Sequence, residues 1–199
     1  ALSTTQLAAL TTDQVAAFTT SQVRLLDRLT TDQVAALNSA QMASLTTAQF
    51  NALDSTQIAA IETADIAALG TAQIAAVTTA ALAGFSTDQV ALLSSAQILA
   101  LTTTQVGKLS TEQVAVIESG DLRQMSTAQI DALSSTQLGV MSTTQMGALT
   151  STQILALEVL TTDQLASLSS VQIASMTTAQ FAALGSAQLA AIETADVQG

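Results

Sequence analysis

Large apolar residues recur along this chain in pairs five positions apart, and each pair returns eight residues later. The stretch Leu29-Thr30-Thr31-Asp32-Gln33-Val34-Ala35-Ala36-Leu37 shows the unit: an apolar residue, four polar ones, a second apolar residue, two alanines, and the Leu that opens the next unit. With the Gln as a ruler, equivalent positions fall at 6, 14 and 22, then every eight residues from 33 to 153, then every eight from 164 to 196. That makes 24 units in a single array over residues 1–199. The ruler residue is Gln in twenty, Asp in three (Asp65, Asp121, Asp196) and Ala once (Ala81). The residue two before it is always Ser or Thr. A period this strict turns the question of fold into one about a unit and its stacking.

A continuous helix does not fit. At about 100° per residue, an eight-residue step rotates the apolar position by roughly 80° each time, so the stripe would wind around every side. A strand fits poorly, because apolar positions separated by odd spacings alternate faces and Ala-Ala is poor strand material. A β-solenoid of short arcs is the alternative, although it needs turn residues, and the chain has only eight Gly and two Asn, Asn38 and Asn51.

Capping chemistry gives the better reading. With Thr30 at the N-cap, its hydroxyl can accept from the backbone N–H of the third helical residue, and Gln33 at that position can reach back to the cap's own N–H. Leu29 and Val34 then form the hydrophobic staple around the cap. Thr161 and Gln164 repeat the same box later in the chain. The cap position holds Ser, Thr, Asn, Asp or Gly in 21 of 24 units, the exceptions being Glu62, Glu118 and Glu193. An alternative register places the cap one residue later, at Thr31 and its equivalents. In either register the invariant hydroxyl two before the Gln is expected to bond free carbonyls of a neighbouring coil. The expected fold is therefore all-α, a solenoid of very short capped helices, one per eight-residue repeat. Such helices are unstable alone and must stack, with rows such as Leu101 and Val106 lining the core and the Ala pairs permitting close helix approach.

Two irregularities agree with helix. Between Gln22 and Gln33, and between Gln153 and Gln164, three residues are added, as Asp27-Arg28-Leu29 and Glu158-Val159-Leu160. Three residues make nearly one helical turn and keep Leu29 near the face of Leu26, and Leu160 near that of Leu157, whereas in a strand they would flip the face. The two insertions also expose a longer period. Shifting the chain by 131 aligns residues 2–68 with 133–199, so the array holds about one and a half copies of a 131-residue module. The chain begins inside the pattern at Ala1-Leu2-Ser3 and stops at Gly199 inside another unit, and it is expected to be a piece of a longer protein.

Composition narrows the function classes. Four basic residues stand against fifteen acidic ones, a net charge of −11, which removes counterion release as a source of affinity for nucleic acid and disfavours an anionic membrane surface. No apolar run approaches the roughly 20 residues of a membrane span, so no membrane insertion is expected. With no His and no Cys, the usual Ser-His-Asp, Cys-His and zinc arrangements are absent, and no Gly-rich phosphate loop occurs. The expectation is a protein without catalytic activity or cofactor.

The sharpest local variation is the unit in which Glu replaces the cap and Asp replaces the ruler Gln: Glu62 with Asp65, Glu118 with Asp121, Glu193 with Asp196. Two carboxylates three residues apart, with a hydroxyl between, could offer oxygen ligands to Ca²⁺, but far fewer than an EF-hand loop supplies. The competing reading is a paired swap of cap and box partner, tolerated because the helix dipole favours acids at its start. The Ser/Thr rows could present hydroxyls to ice or a glycan, yet caps turn their hydroxyls to the backbone. Phe18, Phe50, Phe85 and Phe181, and Met42, Met125, Met141, Met146 and Met176, sit in the apolar rows and read as core. Arg24 and Arg28 flank Asp27 as a local charge cluster.

The Leu-Thr-Thr-x-Gln-Val-Ala-Ala-Leu pattern resembles the tandem repeats of very large secreted or surface proteins of Gram-negative bacteria, loosely labelled adhesins or haem-utilisation proteins. The resemblance implies extracellular or cell-surface display, with adhesion or matrix building as the role. Its haem label finds no ligands here, since His, Cys and Tyr are absent and Met is confined to core rows. The functional expectation is a self-associating structural repeat protein, a rod-like spacer or filament subunit. A glycan- or ice-binding module with a Ser/Thr-rich face is the alternative.

Overall fold

A computed structural model describes residues 3–18, 29–150, 152–153, 170–174, 176–182 and 184–192. Twenty helices lie among the described residues, and no strand does, which sets the β-solenoid aside. The helices run from four residues, as in Thr47–Phe50, to six, as in Thr71–Ala76, and one begins in each described eight-residue repeat. The chain divides into two compact units, residues 1–101 and 102–199.

Each helix starts where the cap leaves the β region. Thr30 has φ −67° and ψ 161°, its hydroxyl accepts from the Gln33 N–H, and its own N–H donates to Gln33 Oε1 at 2.8 Å. This settles the register: the cap is Thr30 and its equivalents, and Thr31 is the first helical residue. Most helices stop as quickly because a tight bond from residue i to i−3, such as Leu45 N–H to the Met42 carbonyl at 3.3 Å, closes the last turn; after Ser119–Gln124 the Met125 N–H reaches the Asp121 carbonyl instead. In several repeats the next apolar residue is then extended, as at Leu45 with ψ 129°. No described residue has a positive φ, so these helix ends place no demand on Gly, which accounts for its scarcity.

Within unit 1, helices pack three repeats apart: Ser39–Ser44 on Thr63–Ile66, Thr47–Phe50 on Thr71–Ala76, and Thr71–Ala76 on Ser95–Ala100. Unit 2 follows the same rule, with Thr103–Val106 on Thr127–Asp131 and Ser119–Gln124 on Thr143–Ala148. Each unit is thus a solenoid of short helices. Its core consists of the two apolar rows: Val34, Met42, Ile66 and Val106 are fully buried, and the residues before the caps, such as Leu37, Leu69 and Leu101, are nearly so. Burying each such side chain contributes on the order of 1.5–3 kcal/mol, and that is what holds helices too short to persist alone.

The alanine pairs do not form the close contact expected of them. Ala59 is exposed and Ala60 half-buried, because the coil junctions are filled by the apolar rows and by polar side chains, leaving the alanines toward the outside. Phe50 and Phe85 are in the core, as are Met42, Met125, Met141 and Met146, whereas Phe18, Phe181 and Met176 are half-buried. Arg24, Asp27, Arg28, and the faces of Leu26, Leu157 and Leu160 lie outside the described residues.

Candidate functional site

The ruler glutamine is the polar centre of the ordinary repeats whose side chains are described. Its Oε1 closes the capping box, for example on the Thr46 N–H at 2.6 Å and the Ser134 N–H at 2.7 Å. Where the cap is Gly70 or Gly185 there is no cap hydroxyl, but the carboxamide half survives, at 2.7 and 2.8 Å. A Glu could do as much.

What a Glu could not do is donate. Gln73 Nε2 donates to the carbonyls of Met42 and Leu45, both at 2.9 Å, and Gln97 Nε2 to those of Ile66 and Leu69, both at 2.8 Å. In unit 2, Gln137 reaches Val106 and Leu109, Gln145 reaches Val114 and Ile117, and Gln153 reaches Leu122 and Met125. The offsets are 31 and 28 residues each time. Since packed helices are three repeats apart, a coil closes in three to four repeats and each amide lies over the junction between the third and fourth repeat back. The carboxamide therefore has its oxygen and its amino group both engaged while almost fully buried; Gln41 and Gln49 are 1% exposed. Leaving one such buried group unsatisfied costs about 1–3 kcal/mol.

The inserted residues show how firmly this register is held. Gln41 reaches the carbonyls of Leu7 and Leu10, and Gln49 those of Val15 and Phe18, at offsets of 34 and 31. Three residues have been added to the chain, and the amide still finds the carbonyl of the residue after the earlier glutamine and that of the residue three further on. Gln57, whose partner Leu29 is the last of the added residues, returns to an offset of 28.

The hydroxyl two before the glutamine, expected to bond the neighbouring coil's carbonyls, makes no such bond at Thr31, Thr47, Thr71 or Thr103. It sits on the first helical residue, exposed at Thr31, Thr47, Thr71 and Thr103, and the glutamine amide makes those bonds instead. The amide is long enough to cross the junction from inside the core and reach the main-chain carbonyls. The missed signal was the amide itself: a capping box accepts Glu or Gln, yet the ruler position holds Gln twenty times and Glu never.

The acidic variant units have a different geometry. Glu62 and Glu118 are N-caps without a side-chain cap bond, and both are exposed, while Asp65 and Asp121 are each only 5% exposed. Asp65, unable to donate to carbonyls, instead accepts from the Ser39 hydroxyl of an earlier coil through Oδ1. Each described pair therefore splits between solvent and interior, and no group of three or more His, Cys, Asp or Glu among the described residues is arranged to hold a metal ion. Glu193 and Asp196, like Thr161 and Gln164, lie outside the described residues.

At Ala81 the amide is gone altogether. The cap Thr78 still accepts from the Ala81 N–H at 3.0 Å. The same repeat carries Gly84, where an added Cβ would lie 2.0 Å from the Ser55 carbonyl oxygen. The Thr79–Leu82 helix packs on Ser55–Ala59, so the coils meet here by direct backbone approach.

Among exposed groups, Glu112 is held below the usual carboxylate range, first by its own backbone N–H at the helix start and then by the Ser110 and Thr111 hydroxyls. A family model described as the ALTTAQ repeat matches residues 1–28, 27–60, 58–95, 114–151, 130–159 and 157–194. No curated protein matches the chain.

Proposed function

The chain belongs to the ALTTAQ repeat family, and on that footing we propose that it is a non-catalytic, extracellular or cell-surface structural element of a bacterial assembly, a spacer or a filament subunit. The observation that carries this reading is the inward use of its polar chemistry. In repeats such as those of Gln73 and Gln97, the glutamine spends its carboxamide on the chain's own backbone, and cap hydroxyls accept from backbone N–H groups. Such a site recognises the next coil of the same kind. An acidic surface with net charge −11 supports a solvated, displayed protein and speaks against nucleic acid as a partner. No helix among the described residues is long and apolar enough to cross a membrane. Cap hydroxyls turned to the backbone also favour the structural role over an ice- or glycan-binding face.

Labelling of intact source cells with an antibody to the chain tests this reading. Staining without permeabilisation is expected. Staining that appears only after permeabilisation would overturn surface display.

A further inference from the structure

The hydrogen bonds of unit 1 differ in reach according to the group that donates. Backbone N–H groups bond carbonyls three or four residues back, as at the helix ends where Leu53 reaches Phe50, Val77 reaches Ile74 and Leu101 reaches Ile98, each at 3.2 Å. The bonds from Gln73, Gln89 and Gln97 to the preceding coil are donated by side chains and reach 28 and 31 residues back. A coil is thus tied to itself by its backbone, and to its neighbour by a few amides and the apolar rows between them. In a sheet, by contrast, a continuous backbone ladder ties each strand to the next.

These amides are spread out along the stack. Gln73, Gln89 and Gln97 follow one another around it, and Ala81, between the first two, supplies no amide. Thr71–Ala76 packs on Thr47–Phe50 and on Ser95–Ala100, so the three helices form one column through successive coils. Tension along this column loads the nearest amide first, and the next carries load only when that one has let go. Contacts in such a stack are between neighbours, so separating one coil leaves the contacts of the others in place. The separated coil loses the burial that holds helices of four to six residues and becomes extended chain.

We propose that the solenoid is extensible: tension along the stack separates its coils one at a time, and each coil closes again when tension falls. The property goes beyond the structural role proposed above, and a spacer built this way lengthens under load. Three repeats of eight residues lead from one junction to the next in the column, so one step releases about 80 Å of extended chain. Reclosure brings together groups 28 and 31 residues apart, a loop whose closure entropy is modest, and reburies the same apolar rows.

Optical-tweezers stretching between Ala48→Cys and Ala96→Cys tests this. Both alanines are exposed, two coils apart in the column, and the chain has no cysteine of its own. Two steps of about 80 Å each are expected, with stretching and relaxation traces that overlie at slow pulling. Gln73→Glu in the same background keeps the capping acceptor, removes the donor, and is expected to raise the opening rate of the first step at fixed force at least about tenfold. Thr71→Ala, which removes an exposed hydroxyl from the same helix, is expected to leave that rate within about twofold. A single step of about 160 Å, or relaxation that fails to retrace the stretching, overturns the proposal. Equal rates for Gln73→Glu and Thr71→Ala overturn it as well. If Gln73→Glu does not fold, the step pattern without that substitution decides the matter alone.

Discussion

The repeats at Gln73 and Ala81 are neighbours in one array and join their coils in opposite ways. At Gln73 a buried carboxamide spans the junction and holds two carbonyls at 2.9 Å. At Ala81 there is no amide, and the gap is closed by bringing Gly84 so near the Ser55 backbone that no Cβ fits. A coil junction in this fold thus needs either a bridging donor or direct backbone approach, and each solution fixes a different residue. The acidic repeat at Asp65 is a third case, where polarity is reversed and the donor, Ser39, comes from the other coil.

The largest effect on this comparison is expected from Gly84→Ala. A methyl pushed 2.0 Å from a backbone oxygen forces the two coils apart, and overpacking of this kind costs about 3 kcal/mol. Gly120→Ala is the control. Nothing lies within 4 Å of its added Cβ, and the change is expected to be neutral or to stabilise the helix by up to about 1 kcal/mol. Equal urea midpoints for the two variants would remove direct approach from the account of the Ala81 repeat.

A smaller effect is expected from Ser39→Ala. It strips the donor from the buried Asp65 carboxylate and should lower stability by about 1–2 kcal/mol. The double variant Ser39→Ala/Asp65→Gln, which supplies an amide in place of the acid, should recover most of that loss. If it recovers nothing, the acidic repeat is not a reversed form of the glutamine junction.

The smallest effect is expected from Glu112→Gln. Its carboxylate is stabilised at the helix start, so the folded state binds its proton less readily than the unfolded chain. The stabilisation is present above the unfolded value of roughly 4.3 and disappears as pH falls through the lower folded value. Calorimetry should show wild type melting slightly above the variant at neutral pH, with the two coinciding in strong acid. A difference that grows on acidification would reverse the assigned cause.

Much of this architecture was legible in the linear pattern. Cap, box and staple are local devices, readable in Thr30, Gln33, Leu29 and Val34, and they place each helix within a residue of where it lies. The size of the coil was not legible, because it is set by contacts 28 and 31 residues apart that leave no mark on an eight-residue period. The second task of the glutamine was half legible. Exclusive use of Gln where Glu would cap equally well points to a needed donor, but its acceptors are main-chain carbonyls, which every residue has. The pairing of Ala81 with Gly84 in one repeat was a similar hint: loss of the bridge and loss of a side chain occur together because one permits the other.

The central claim is that the carboxamide joins coils as well as capping a helix. Urea denaturation of Gln73→Glu and Gln14→Glu in dilute solution tests it most directly, because both substitutions preserve the capping acceptor and only Gln73 faces carbonyls. Gln73→Glu should destabilise by about 3 kcal/mol, through a buried carboxylate with no donor and two carbonyls with no amide, while Gln14→Glu should stay within about 0.5 kcal/mol of wild type. Small and equal effects at both positions would contradict the claim and reduce the glutamine to a capping residue.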